Sequence, residues 1–306
     1  YGETRAPMLI YFVDHPAYHY PTIRSPLPRL AVTFPTAHHV DFCAAHIRRD
    51  ITIRHVPHAA TPLADPPPAW TTRDLPLLLS ASLHGEPETL RAGWRQHGDA
   101  VERSLNAIVE AHDAAPTQPL GQIINAMIEH DDLPIEVLAS YFLAADTYLR
   151  SRVKRDLVAA LAHLPLTVCG KGWERIAEST APSHRLRFLS AQPAPEAMAL
   201  MRRAKLVLNP LPPYYASHER PFQAMAAGAV AATGPSALFG AADFAGALLP
   251  LPSDPAAAAA LIEAALSDDA ALQGIAAAGT RVQAAGHSWD DRAAALAALA
   301  QSLAAA

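Results

Sequence analysis

The chain reads as an α/β protein whose C-terminal half forms a parallel, doubly wound sheet. Two observations predict this. From residue 164 onward, short apolar runs at 166–169, 186–189, 206–208, 229–233 and 247–251 alternate with helical patterns, and such a βαβ series closes into a parallel sheet with right-handed crossovers. Within it, the stretch SHERPFQAMAAGAV at 217–230 reads as a polar loop, a helix of small residues, a glycine stop and a buried strand. Free N–H groups and the helix dipole at that helix start favour an anion, and Gly228 suits the left-handed position that ends a helix. A tightly packed helix with a charged cap describes the same residues without a ligand.

Composition bounds the rest. With 306 residues, 51% of them hydrophobic and 17% charged, the chain has material for two domains and a large core and is not of the disordered class. A net charge of −5 argues against a general nucleic-acid surface. No apolar run is long enough to span a bilayer and no secretory signal is visible. The first residue is Tyr1, which suggests that the start is missing. Cys43 and Cys169 stand far apart with no metal-type spacing, so buried free thiols in a reducing cytoplasm are expected. The fifteen histidines include no His-Glu-x-x-His pattern, and no metal is predicted.

Taken in order, residues 8–13 form an apolar strand that ends at Asp14, His15 and Pro16. Polar groups just past such an end are where open α/β sheets place ligands, which makes Asp14, His15 and His19 candidates for one side of a cleft; a turn capped by Asp14 explains them equally well. Residues 30–34 read as a second strand. Thr36 then caps a helix running to Ile47, and 51–56 alternates as a third strand. The proline-rich 57–70 is a linker, and 75–81 is a fourth apolar strand, closed by His84, Gly85 and Pro87. Residues 87–161 are helical in pattern, broken at 116–119 and 131–134. Within them Tyr148, Arg150, Arg152, Lys154 and Arg155 read as a solvated basic helix end. After the strand at 166–169, Gly170, Lys171 and Gly172 form a turn where a phosphate could approach backbone and Lys171 could neutralise it, or simply a tight turn. The strand at 206–208 ends at Asn209. The alanine-rich tail from Pro255 holds three helices.

The stretch HERPFQAMAAGAVAAT resembles the central motif of group 1 glycosyltransferases, in their CgeB-like (spore maturation protein) branch. In order, VCGKGWE at 168–174, AKLVLNP at 204–210 and GHSWDDR at 286–292 resemble that family's strand with Gly-x-Gly-Trp, its strand ending in Leu-Asn and its closing His-x-Trp-x-x-Arg. VDHP at 13–16 and LLLSASLHGEPETLRAGW at 77–94 resemble it more loosely. The sequence departs from the family where many retaining members carry two glutamates. Gln223 stands before Ala-Met-Ala, Tyr215 stands eight residues earlier, and Glu219 is not an obvious substitute by spacing.

The resemblance implies a GT-B-like fold of two Rossmann-like domains, the N-terminal one reduced or truncated, with a helical insertion between them. The expected division is 1–86, 87–161, 162–286 and a final helix, 287–306, that crosses back to the first domain. It implies a glycosyltransferase that moves sugar from a nucleotide-diphosphate sugar, without cofactor or required metal, to a carbohydrate, lipid-linked or protein acceptor. Expected donor contacts are Gly170, Lys171, Gly172, Asn209, Tyr215, Ser217, His218, Glu219, Arg220, Pro221, Phe222 and Gln223, with Arg220 and Lys171 on the diphosphate. Asp14 or His15 would be the base of an inverting reaction, and His218 faces either sugar or phosphate. HSWDDR is expected to be structural, through Trp289. A binding protein on the same fold that has lost turnover, or a sugar-nucleotide epimerase, are the alternatives. A dinucleotide enzyme is disfavoured, because Arg175 stands where Gly-x-Gly-x-x-Gly needs its third glycine.

Overall fold

The computed structural model describes residues 7–305 apart from 28, 49, 129–132 and 180–184. Tyr1, and residues 131 and 132 of the expected helix break, lie outside that set. Among the described residues, nine strands pair in parallel, in two sheets. The first sheet holds β1 (Met8–Tyr11), β2 (Leu30–Phe34) and β3 (Thr52–His55) in the order β1-β2-β3. The helix Ala37–His46 connects the last two, and Thr36 Oγ1 caps it by accepting from the His39 amide at 3.2 Å.

The second sheet contains β4 (Leu75–Ser80), β5 (Leu166–Cys169), β6 (Leu186–Leu189), β7 (Ala204–Asn209), β8 (Val230–Thr233) and β9 (Leu249–Pro250), ordered β6-β5-β4-β7-β8-β9. This is the dinucleotide-fold order, whose direction reverses between β4 and β7 and opens a crevice at their carboxyl ends. The strand expected as the fourth of the N-terminal part is therefore the centre of the second sheet instead. Its composition gives the reason: Leu75, Leu77, Leu78 and Leu79 are all buried, as befits a strand covered on both faces. The first sheet consequently has three strands, and the helical stretch is inserted between β4 and β5.

That stretch comprises Pro87–Gly93, Asp99–Ala114, Leu120–Met127 and the 26-residue helix Ile135–Ala160. The long helix packs into a core of its own with Phe42, Leu105, Ile108, Ile124, Leu138 and Phe142, and its later turns, through Leu157 and Val158, join the core of the second sheet. The connector between the sheets is pinned by Arg73, which is buried and donates to the carbonyls of Ala204 at 2.7 Å and Ala227 at 2.8 Å. The tail forms Pro255–Leu266, Asp269–Ala284 and Trp289–Ala305. The last of these reaches the first sheet: Trp289 meets Tyr11 edge-on at 5.4 Å, and Arg29 donates to the Leu303 carbonyl. Arg292 donates to the carbonyls of Pro57 (3.1 Å) and Gly286 (3.0 Å), and Ala60 and Ser288 form a parallel bridge.

Candidate functional site

The helix of the central motif is Glu219–Ala226. His218 is its N-cap, with Nδ1 accepting from the Arg220 amide at 3.4 Å. At the other end the Ala229 amide reaches the Ala224 carbonyl and the Gly228 amide that of Met225, the paired bonds of a glycine C-cap. Gly228 has φ of 69°, and a Cβ there would lie 2.5 Å from Pro67. Phe222 is fully buried against Phe239, Phe244 and His287, and Pro221 is buried beside it. These two expected donor contacts anchor the helix. Gln223 and Glu219 are partly exposed.

Arg220 is held by the strand ends. Its Nη1 donates to Asn209 Oδ1 at 2.8 Å, and Asn209 Nδ2 donates to Thr233 Oγ1 at 3.0 Å. The guanidinium is thus fixed at the carboxyl ends of β7 and β8. Ser217 is buried, with its hydroxyl 3.0 Å from Nδ1 of His58, a buried residue of the connector that the sequence did not single out.

The long helix supplies the rest. Asp146, Arg150 and Lys154 follow one another at intervals of four and lie on one face. Asp146 is fully buried and accepts from three tyrosine hydroxyls: Tyr18 (2.6 Å), Tyr214 (2.7 Å) and Tyr215 (2.9 Å to each oxygen). Arg150 lies over the Tyr215 ring, with Nη1 3.7 Å from Asp146, and its buried Nε has no partner among the described residues. Lys154 is 3% exposed, and its ammonium donates to the Ser82 carbonyl at 2.7 Å. The basic stretch expected to be solvated is therefore split. Arg152 and Arg155 pair outward with Asp113, Glu88 and Asp156, while Arg150 and Lys154 turn inward. The i, i+4, i+8 spacing was the signal that separates them.

Cations outweigh carboxylates in the electrostatics of this corner. Burial pushes Lys154 down to about 7, and Arg150 and Arg220 push it further than Asp146 restores. Burial and then Arg150 bring Arg220 to about 10. Burial, followed by Arg220, His58, Arg150 and Lys154, holds His218 far below the usual imidazole range, so it is neutral. His84, past the end of β4, is lowered by burial, Lys154 and Arg150, and raised in turn by Asp146 and Asp14. Asp14 also acts on Arg150. The carboxylate past β1 is thus near enough to this corner for its charge to be felt there. Three cations, one of them with a buried Nε that has no partner among the described residues, a neutral cap and a helix start make a region of positive potential suited to a polyanion.

Two groups of candidates stand elsewhere. His15 is buried, stacked on Phe142 at 3.8 Å, and its Nδ1 accepts from the Ala17 amide at 3.1 Å. It caps the turn Pro16–Tyr18 and lines a cavity between that turn and the helix Ala37–His46. Gly170 and Gly172 pass against the β4 exit: Cβ atoms there would lie 2.2 Å from the Ala81 carbonyl and 2.1 Å from that of Leu83. Their smallness lets two loops touch, and Lys171 is exposed beside them. Trp173 completes that joint by donating to the Ala81 carbonyl at 2.8 Å. Among the described residues no group of three or more histidine, cysteine or acidic side chains is placed to hold a metal ion, and no helix is long and apolar enough to cross a membrane.

The two parallel sheets, the second in dinucleotide-fold order, give the chain a GT-B-like fold. Sucrose-phosphate synthase (tll1590) from Thermosynechococcus elongatus superposes with a TM-score of 0.54 at 15% identity over 94% of this chain and 61% of that one. A UDP-forming α,α-trehalose-phosphate synthase from Burkholderia xenovorans gives 0.53 at 13% over 99% and 70%. WaaG, a glycosyltransferase involved in lipopolysaccharide biosynthesis, gives 0.50 at 13% over 95% and 75%. The chain therefore spans about three-fifths of the first of these. Residues 150–298, just under half of the chain, match the family described as glycosyl transferase-like. No curated protein matches the chain by sequence.

Proposed function

We propose that the protein transfers a sugar from a nucleotide-diphosphate sugar to a hydroxyl acceptor, within the CgeB-like branch of its family. The observation that carries this reading is the convergence of Arg150, Lys154 and Arg220 on the start of the motif helix. Breaking the anomeric C–O bond leaves two negative phosphates, and preorganised cations with unmet hydrogen-bond capacity stabilise that developing charge. In this reading the three side chains and the helix dipole meet the leaving group's charge without a required metal. Asn209 and Thr233 keep Arg220 aimed, and Glu219 and Gln223 reach donor hydroxyls. Asp14 approaches from the first sheet. For an inverting reaction it takes the acceptor proton as the acceptor oxygen bonds the anomeric carbon. His15 lacks a free Nδ1 for that task, and its buried ring resists protonation.

The test is a thermal-shift screen with UDP-, GDP- and dTDP-sugars, a CMP-sugar, and NAD(P). A ligand that binds only the native state raises the melting temperature. The expected result is a rise with one diphosphate sugar, lost in Arg220→Ala and kept in Asp14→Asn, which abolishes transfer instead. A rise with NAD(P) alone overturns the reading, as does no response to any nucleotide sugar.

A further inference from the structure

A second cavity lies on the other side of the Tyr214–Tyr215 pair, between the helix Ala37–His46, the turn Pro16–Tyr18 and the helical insertion. It measures about 210 Å³ and is lined by His15, His39, His46, Phe42, Gln122 and Tyr215, among others. Tyr215 also touches Arg150 and Asp146, so one side chain separates this cavity from the cation cluster. The size decides the ligand's scale. Sites for drug-sized molecules run from about 300 to 1,000 Å³, so this one has room for a single ring.

The chemistry of the walls decides its class. His15 Nδ1 is an acceptor for Ala17, which leaves its Nε2 as the N–H donor. His46 Nε2 lies 3.0 Å from the Asn125 amide nitrogen and accepts from it, which leaves its Nδ1 as donor. His39 is 5% exposed, and its Nδ1 has no partner among the described residues. Burial lowers all three imidazoles, His39 to about 3, so they offer hydrogen bonds without charge. Phe42 and the tyrosines supply ring surface, and Gln122 and Asp41 supply amide and carboxylate at the rim. Neutral donors and acceptors among aromatic faces suit a ring with many hydroxyls. A phosphate or carboxylate would find no lysine or arginine within the walls, and protonating the buried imidazoles of His15 and His39 to supply a cation is costly.

We propose that this cavity binds one uncharged sugar ring, the neutral saccharide unit of the acceptor. The proposal rests on the glycosyl-transfer reading above, and it names the class of acceptor that reading leaves open.

Saturation-transfer NMR on the full chain tests it with glucose, galactose, mannose and N-acetylglucosamine, against glucose 6-phosphate and glucuronate. Ala45, exposed at the lip of the cavity, is replaced in Ala45→Trp to fill the space without touching the core. The expected result is transfer to at least one neutral sugar and to neither charged one, with affinity at least tenfold lower in Ala45→Trp. No transfer to any neutral sugar, stronger binding of a charged one, or an unchanged signal in Ala45→Trp overturns the proposal. UDP, GDP and dTDP titrated into the same samples report on the donor site separately, and Ala45→Trp leaves that binding unchanged. Loss of nucleotide binding with the neutral sugar still bound overturns the donor reading and leaves the cavity a sugar site.

Discussion

Lys154 is the residue most at odds with its sequence neighbourhood. In a run with Arg150, Arg152 and Arg155 it looks like solvent-facing charge, yet it is buried and brought to about 7. An unfolded lysine keeps its proton to about 10.4, so between those limits the unfolded chain holds one proton more than the folded one, and stability rises with pH there. A bound diphosphate reverses the sign by favouring the ammonium. Nucleoside diphosphate binding at pH 8 is therefore expected to take up nearly one proton, and affinity falls as pH rises above 7. Calorimetry in buffers of different ionisation enthalpy measures this. Lys154→Met is expected to abolish the uptake and weaken binding by about 1.5–3 kcal/mol, the worth of one charged hydrogen bond. Local pattern does separate inward from outward charges on this helix, through the spacing of 146, 150 and 154. Nothing local says that the face meets Arg220, because that encounter depends on a crossover of many residues. Asp14 stands out in the sequence as a polar group past a strand end, and Arg220 as one at a helix start. His58 and His84 were not, since each stands alone in a loop and becomes notable only through its neighbours in space.

The elements themselves were largely written in the sequence. Strand runs, the Thr36 cap and the Gly228 stop all have local causes, and the structure has each. Strand membership has no local cause in a parallel sheet, so β4 was read with the strands before it although it pairs with β5 and β7. Glycines were ambiguous for the same reason: Gly170 and Gly172 face backbone, which a sequence displays no differently from a phosphate. Gly228→Ala combines a left-handed φ with overlap against Pro67 and Arg73, and is expected to cost about 2 kcal/mol or more in chemical denaturation. Asp146→Asn tests the tyrosine network that joins the first sheet's Tyr18 to the insertion and to the motif loop. It leaves Arg150 without its buried partner, and a loss of about 3 kcal/mol is expected. Tyr18→Phe removes only one of the three hydroxyls, and a loss of about 1 kcal/mol is expected.

At the scale of the whole molecule, length allows two domains, and the resemblance implies a closing helix. The physical content of that closure lies in Arg292, whose guanidinium gathers carbonyls from the connector and from its own turn. Arg292→Ala is expected to open the connector at 57–70 to limited proteolysis, while any melting-temperature rise with a diphosphate sugar persists, because the proposed donor contacts belong to the second sheet and its insertion.

The bridge between Ala60 and Ser288 gives the two lobes a pair of parallel crossings where a single linker would leave one. A single tether is a ball joint, free to swivel and twist. Two strands fixed side by side act as a door hinge, which resists torsion and leaves one axis of swing. With Tyr18 tied to Asp146 and His15 stacked on Phe142, the long helix braces that hinge on its far side, as a stay braces a door, so the segment after β1 is held to the insertion.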